Sequence, residues 1–281
     1  MIAVTGATGN IGRTLVELLA GAGEEVVAVS RRPRPAGPTD GVRWAQADMG
    51  TAAGLRPALE GARALFLLLG GELNSRGEHP ATLLDMATRA GVERIVLVSS
   101  QVSATRPDAP SHARLREFES AVRASGRDVT ILRPGAFASN AFAWAETVRA
   151  ERTVFAPFGD VALPVVDPAD IAAVAAAALR EDAHAGRVYE LTGPEPITPR
   201  RQAEVISHAL GEEVTFVELS REDALAAMTQ FMPEQVATGT LDVLGVPLPA
   251  EQKVSPDVET VLHRPAGSFG TWVARNLPAF R

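Results

Sequence analysis

The sequence predicts an α/β fold: a parallel sheet wound on both faces by helices, followed by a smaller α+β part. Three observations predict it. Short apolar runs alternate with helical patterns of ten or more residues through the first two-thirds of the chain. One run, residues 64–69, is apolar throughout, as a strand buried on both faces must be. The first run ends in a glycine-rich turn that opens a helix.

The elements follow in order. Residues 2–5 form the first strand. Residues 10–22 place Ile11, Leu15, Leu18 and Leu19 at helical spacing, and Gly21 and Gly23 end that helix. Strands are expected at 25–29 and 42–45, then a short helix around 55–59, then the strand at 64–69. A helix over 80–90 leads to a strand at 94–98. Residues 113–125 carry Leu115, Phe118 and Val122 on one stripe, and 129–132 is the next strand. The character shifts after Pro134. Residues 136–149 predict a helix bearing Phe137, Phe142 and Trp144. Asp167-Pro168-Ala169-Asp170 introduces an alanine-rich helix to Leu179, where the two acids read as a helix cap rather than a catalytic pair. A strand at 188–192 follows, then strands or turns at 196–198 and 214–219, and helices near 200–210, 221–231 and 267–276. Residues 1–192 are expected to form the larger domain and 193–281 the smaller. The segment around 136–165 is expected to cross into the smaller one and return.

Composition excludes several function classes. A net charge of -7, with no long basic run, argues against broad attraction to nucleic acid or anionic lipid. The chain has no cysteine, so disulfides, thiol nucleophiles and cysteine-held metals are out. Its five histidines are scattered, without metal-ligand spacing. The start, residues 1–9, reads as a strand entering a loop rather than a signal peptide, and no apolar run has membrane-spanning length. A cytoplasmic protein, monomer or homodimer, acting on a small molecule is the expectation.

The strongest motif is Thr5-Gly6-Ala7-Thr8-Gly9-Asn10-Ile11-Gly12. Gly6 can make the tight turn, Gly9 lets the backbone approach a pyrophosphate, and Gly12 lets the helix pack on the strand. The amides at the helix start then face the phosphates. The motif predicts a Rossmann-type doubly wound sheet with a dinucleotide site. The tip of the second strand reads Val29-Ser30-Arg31-Arg32-Pro33, with no acid for a ribose 2′-hydroxyl and two guanidinium groups for a 2′-phosphate. NADP(H) is therefore expected over NAD(H), with Ser30 and Arg31 ahead of Arg32. Asp48 either accepts from the adenine amino group or caps the next helix. Leu69 and Gly70, with Gly71, flank the adenine ribose. Ser99, Ser100 and Gln101 end the fifth strand where a nicotinamide would lie, either touching it or only forming the turn.

The segments TGATGNIG (5–12), SRRP (30–33), QAD (46–48), LVSSQ (97–101), SGRDVTILRPGAFASN (125–140) and VVDPADIAAV (165–174) resemble the NmrA-like atypical short-chain dehydrogenase/reductases. The tail from Val258 to Trp272 is similar to that group as well. The resemblance implies NAD(P)H:quinone oxidoreductases, azoreductase-like enzymes or NADP redox sensors. It implies Pro134 and Gly135 beside the nicotinamide and Asn140 as a polar substrate contact. Phe137 and Phe142 are candidate walls of a substrate pocket, or simply core.

Ordinary short-chain reductases protonate a carbonyl with a Tyr-x-x-x-Lys pair. The expected positions here are Ser111 and Leu115, the one tyrosine is Tyr189 and the one lysine is Lys253. A shifted pair, His112 and Arg116, lies on one helical face; His112 reads either as a weak catalytic candidate or as a residue near the helix cap. Hydride transfer to a quinone or another conjugated acceptor needs no such acid. The alternative is an NADP(H)-binding sensor that reports to a protein partner. A sugar or isoflavone-type reductase ranks last, for want of a catalytic lysine.

Overall fold

A computed structural model of the protein describes residues 1–31, 40–47, 50–70 and 77–281. Seven strands form one sheet: β1 (Ile2–Thr5), β2 (Val26–Ser30), β3 (Val42–Gln46), β4 (Ala64–Leu68), β5 (Arg94–Val98), β6 (Asp128–Pro134) and β8 (Val188–Leu191). Their order is β3-β2-β1-β4-β5-β6-β8, and the pairs from β3 through β6 are parallel. Ile131 N donates to Arg187 O and Gly135 N to Leu191 O, an equal advance on both strands, so β8 also runs parallel. The strand order reverses between β1 and β4, and a crevice opens at such a point in sheets of this type.

The helices follow from the alternation of side chains across the strands. Ala3, Val27, Val29, Leu65, Leu67, Ile95, Leu97, Val129 and Ile131 share one face. They pack with Leu55 and Leu59 of α2 (Ala52–Leu59), Leu83 and Leu84 of α3 (Pro80–Arg89), and Phe118 and Val122 of α5 (Ala113–Ala124). On the other face α1 (Asn10–Gly21) packs against α7 (Pro168–Arg180), an alanine-rich helix whose small side chains allow close approach. Both faces are covered, so the central strands are apolar at almost every position.

The chain divides into two compact units. The first takes in Met1–Ser103, His112–Pro134 and Pro168–Glu190, and the second Ala104–Ser111, Gly135–Asp167 and Leu191–Arg281. In the second, β7 (Thr153–Pro157) pairs in parallel with β9 (Thr215–Leu219). Its core joins Val148 and Val154 to Ile206 of α8 (Pro199–Leu210) and to Phe269, Trp272 and Val273 of α13 (Phe269–Asn276). This unit also holds α6 (Ala145–Glu151), α9 (Arg221–Met228), α10 (Glu234–Gly245), α11 (Pro249–Gln252) and α12 (Asp257–Leu262).

One expectation needs correction. The helix expected over 136–149 is a 3₁₀ turn, Ala138–Trp144, running into α6. The cause is local: Val166 N donates to Ala136 O (2.8 Å) and Ala138 N to Val166 O (2.9 Å), which holds Phe137 extended and forbids a helix before Ala138. The strand β7 and the helices α10 to α12 were not foreseen. Residues 196–198 make only a bridge, Ile197 to Leu163. Among the described residues, no helix is long and apolar enough to cross a membrane.

Candidate functional site

The glycine turn carries the geometry its sequence demands. Gly6 has φ +65°, a left-handed conformation that favours glycine. A Cβ at Gly12 would overlap the Gly6 carbonyl oxygen and come within 2.9 Å of Ala7 Cα. Gly12 is thus the contact at which α1 meets the turn. Gly9 caps α1 with no side chain of its own, and no acid occupies the helix's first turn. The amide of Arg13 donates to Gly9 O, so Asn10, Ile11 and Gly12 bring the orphan amides of the helix start to the turn. Gly9 and Asn10 are exposed and Ile11 is buried. The positive end of α1 therefore faces solvent at the carboxyl ends of the strands.

Thr5 ties the end of β1 to β4 through its side chain, a role its sequence position does not reveal. Its hydroxyl donates to Phe66 O (2.9 Å) and accepts from Leu68 N (2.9 Å). The fully buried side chain takes the place of the next backbone rung, just where β1 and β4 part. A threonine at the end of a strand gives no hint of this without knowledge of which strand lies beside it.

The β2 tip lies against the glycine turn. Thr8 Oγ1 and Ser30 Oγ are 3.1 Å apart, and Ala7 N donates to Val29 O (3.1 Å). Ser30 is buried, whereas Arg31 is exposed and its carbonyl accepts from Gln46 Nε2 (3.3 Å). Arg32, Asp48 and Gly71 lie outside the described residues. Leu69 is buried and Gly70 exposed, with open space where a Cβ would stand.

The end of β5 is built on a buried ion pair. Arg133 donates through Nε to Glu119 Oε1 (2.9 Å) and through Nη2 to Oε2 (2.6 Å). Ser99 Oγ donates to Glu119 Oε1 (2.6 Å) and lies 3.2 Å from Ser103 Oγ. Burial pushes the Glu119 carboxyl up. The hydrogen bonds from Arg133 and Ser99 and the charges of Arg133 and Arg123 outweigh that and leave it below the ordinary carboxylate range. Glu119 in turn raises Arg133, with a smaller push from Glu190. Ser100 accepts from Val102 N (3.2 Å) at the start of α4 (Val102–Thr105). Gln101 is buried and its amide donates to Pro134 O (3.0 Å), which ties the turn after β5 to the end of β6.

The remaining sites separate. His112 is the residue before α5 and gives no side-chain cap bond. Asn140 is exposed on the 3₁₀ turn, and Phe137 is half-buried beside Val166. The Phe142 ring meets Trp272 edge-on at 4.9 Å and stacks with Phe280 at 6.2 Å, so it serves the core of the second unit. Asp167, just before α7, is buried and pairs with Arg275. Tyr189 is bonded to His184 Nδ1 (2.8 Å), whose carbonyl accepts from Thr130 early in β6. The chain's one tyrosine therefore lies toward the amino ends of β6 and β8, away from the glycine turn. No group of acids and histidines among the described residues could hold a metal ion.

The comparisons with known proteins agree with this geometry. A family model described as NAD(P)H-binding matches residues 6–182. A (4-alkanoyl-5-oxo-2,5-dihydrofuran-3-yl)methyl phosphate reductase of Streptomyces griseus is 38% identical over 283 residues, spanning 100% of this chain and 99% of the relative. An NAD(P)H azoreductase of Xenophilus azovorans is 32% identical over 100% of this chain and 99% of its own length. The crystal structure of an NADPH-dependent quinone oxidoreductase from Escherichia coli, complexed with NADPH, superposes with a TM-score of 0.82 at 29% identity. The match covers 99% of this chain and 100% of that one.

Proposed function

Because the chain belongs to the NAD(P)H-binding family, within the NmrA-like NAD(P)H-dependent oxidoreductases, we propose that it transfers hydride from NADPH to a quinone or a similar small conjugated acceptor. The observation that carries this is the first β-turn-α unit: a left-handed Gly6, a Gly12 with no room for a side chain, and the head of α1 with neither a side-chain cap nor an acid in its first turn. Gly6, Thr8, Gly9, Asn10, Ile11 and Gly12 would hold the pyrophosphate. Ser30, Arg31 and Arg32 would hold the 2′-phosphate. Asp48, Leu69 and Gly70 would flank the adenosine, and Ser99, Ser100, Pro134 and Gly135 the nicotinamide. When bound, the nicotinamide supplies the hydride; the protein's task is to hold the ring against the acceptor and exclude competing reactions.

The choice of acceptor follows from what the strand ends lack. Without a Tyr-x-x-x-Lys pair there, an isolated ketone would have to take hydride with no strong acid beside its oxygen. A conjugated acceptor spreads the arriving charge over its π system. The three relatives named above act on a furanone, an azo compound and a quinone, and each of these is conjugated. Phe137 and Asn140, which match the group's RPGxFxxN pattern, are the proposed substrate contacts, with Gln101.

Steady-state NADPH oxidation against a panel of quinones, azo dyes and 2-acyl butenolides tests the reading. Turnover above background with at least one conjugated class, and none with saturated ketones, is expected. Tight NADPH binding without turnover on any acceptor would overturn it in favour of the sensor.

A further inference from the structure

The amino ends of the strands carry arginines of two kinds. Arg63, just before β4, and Arg180, at the end of α7, pair with Glu24, and Arg94, the first residue of β5, pairs with Asp182. Arg127 and Arg187 differ. Among the described residues neither guanidinium meets a carboxylate, and Arg127 Nε is buried with no hydrogen-bond partner. Both line a cavity of about 200 Å³, with Arg123 from the last turn of α5 and Asp128 from the start of β6. Val129 and Ile131, both buried, supply its apolar lining. The backbone around it is fixed: Gly186 N donates to Val129 O (2.7 Å), Ile131 N to Arg187 O (3.0 Å) and Arg127 N to Ser125 Oγ (3.3 Å).

We propose that this cavity binds a phosphate dianion, free or as the monoester of a small molecule, with Arg127 and Arg187 as its principal ligands. A buried N–H without an acceptor is costly, and the fork of a guanidinium matches two oxygens of a phosphate. The lining sets three guanidinium groups against one carboxylate, a local excess of two positive charges in a chain of net charge -7. That excess matches a dianion. Arg123 lies 3.7 Å from Glu119, but Glu119 already takes both prongs of Arg133. Asp128 lies 3.8 Å from Arg94, which also holds Asp182. The negative end of α5 opposes an anion, yet its Val122 carbonyl already accepts from Ser125 N (3.2 Å) and Oγ (2.6 Å). The apolar lining strengthens each charge interaction. The volume is below the roughly 300–1,000 Å³ of drug-sized ligand sites, so it suits one phosphate group and a few carbons. The cavity lies at the amino ends of β6 and β8, whereas the glycine turn follows the carboxyl end of β1, so its occupant does not compete with a dinucleotide. The bound anion bridges the end of α5 to the edge strand β8 and stabilises the fold by mass action.

Calorimetric titration of inorganic phosphate into the NADP⁺-saturated protein tests this, with glycerol phosphate and acetate as further probes. Saturating nucleotide keeps phosphate out of the glycine turn. Wild-type protein should take up one phosphate per chain, and Arg127→Gln should bind it at least about tenfold more weakly. Arg187→Gln, a change at an exposed residue, should also weaken it, and acetate should bind far less tightly than either phosphate. The tighter of inorganic phosphate and glycerol phosphate identifies the source of the anion. Melting temperatures give a second reading. Without phosphate, Arg127→Gln should melt no lower than wild type, because it removes a cation that lacks a counter-charge; with phosphate the order should reverse. Wild-type protein that binds no phosphate, an affinity unchanged in both variants, or acetate bound as tightly as phosphate would overturn the assignment.

Discussion

Two buried glutamates, one in each unit, are held by the same chemistry for different ends. Glu119 takes both prongs of Arg133 and a hydroxyl from Ser99. Glu251 takes both prongs of Arg106 (2.8 and 2.9 Å) and a hydroxyl from Thr105 (2.8 Å). Burial pushes each carboxyl up, and in each the hydrogen bonds and the facing charge more than reverse it. The difference lies in what else the arginine touches. Arg106 also donates to Val246 O (2.8 Å), while Leu248 N donates to Glu251 (2.8 Å), so this network ties the segment Ala104–Ser111 to α10 and α11. Arg133 stands instead beneath the serines at the end of β5. The same motif serves as a fastening in one place and, in the other, as the support of the strand end proposed to face the nicotinamide.

The largest expected effect comes from removing either arginine. Arg133→Met or Arg106→Met leaves a buried carboxylate uncompensated and should cost about 3–5 kcal/mol in urea unfolding. Activity then separates them: in conditions where both variants remain folded, kcat should fall for Arg133→Met and hold for Arg106→Met. Equal losses of kcat would erase the distinction. A smaller effect is expected when the fastening is replaced whole. The double variant Arg106→Met, Glu251→Leu should recover most of the lost stability, because no charge is left stranded.

Acid should act on both pairs with one sign. The folded pKa of each glutamate lies below its ordinary value, about 4.3 for an unperturbed glutamate. Their contributions are fully present above that value and are lost as pH falls through the lower folded values. Wild-type stability should therefore steepen its decline below about pH 4, and Glu251→Gln should flatten that slope. The smallest effect belongs to a guanidinium–carboxylate pair at the surface. Arg200 donates to Asp160 (3.0 Å) in the open, and Asp160→Asn should leave the melting temperature unchanged within error.

Legibility in the sequence followed burial and locality. The central strands announce themselves because both faces are covered, so Ala64–Leu68 and Arg94–Val98 read as apolar runs. The glycine turn is legible because each glycine answers a local need. By contrast, β7 is five residues with a half-buried surface and a closing proline, and nothing in Thr153–Pro157 marks a partner sixty residues on. The helix α10 contains two glycines and several β-branched residues, which weaken its helical signal. Glu119 reads as a solvent-facing residue of an amphipathic helix until Arg133, on the next strand, is seen to reach it. Thr5 is hidden in the same way. Long-range polar contacts leave no periodic trace, so the support of the site was the part least visible.

The proposed activity requires the first turn to accept a diphosphate and the β2 tip to prefer a phosphorylated adenosine. Calorimetric titration of the purified protein and of Gly12→Val with NADPH and NADH addresses both at once. The prediction is binding of NADPH at least about tenfold tighter than NADH, a gap of roughly 1.4 kcal/mol, and no measurable heat for Gly12→Val with either nucleotide. Equal affinity for the two would contradict the role given to Ser30 and Arg31, and wild-type protein that binds neither would contradict the whole.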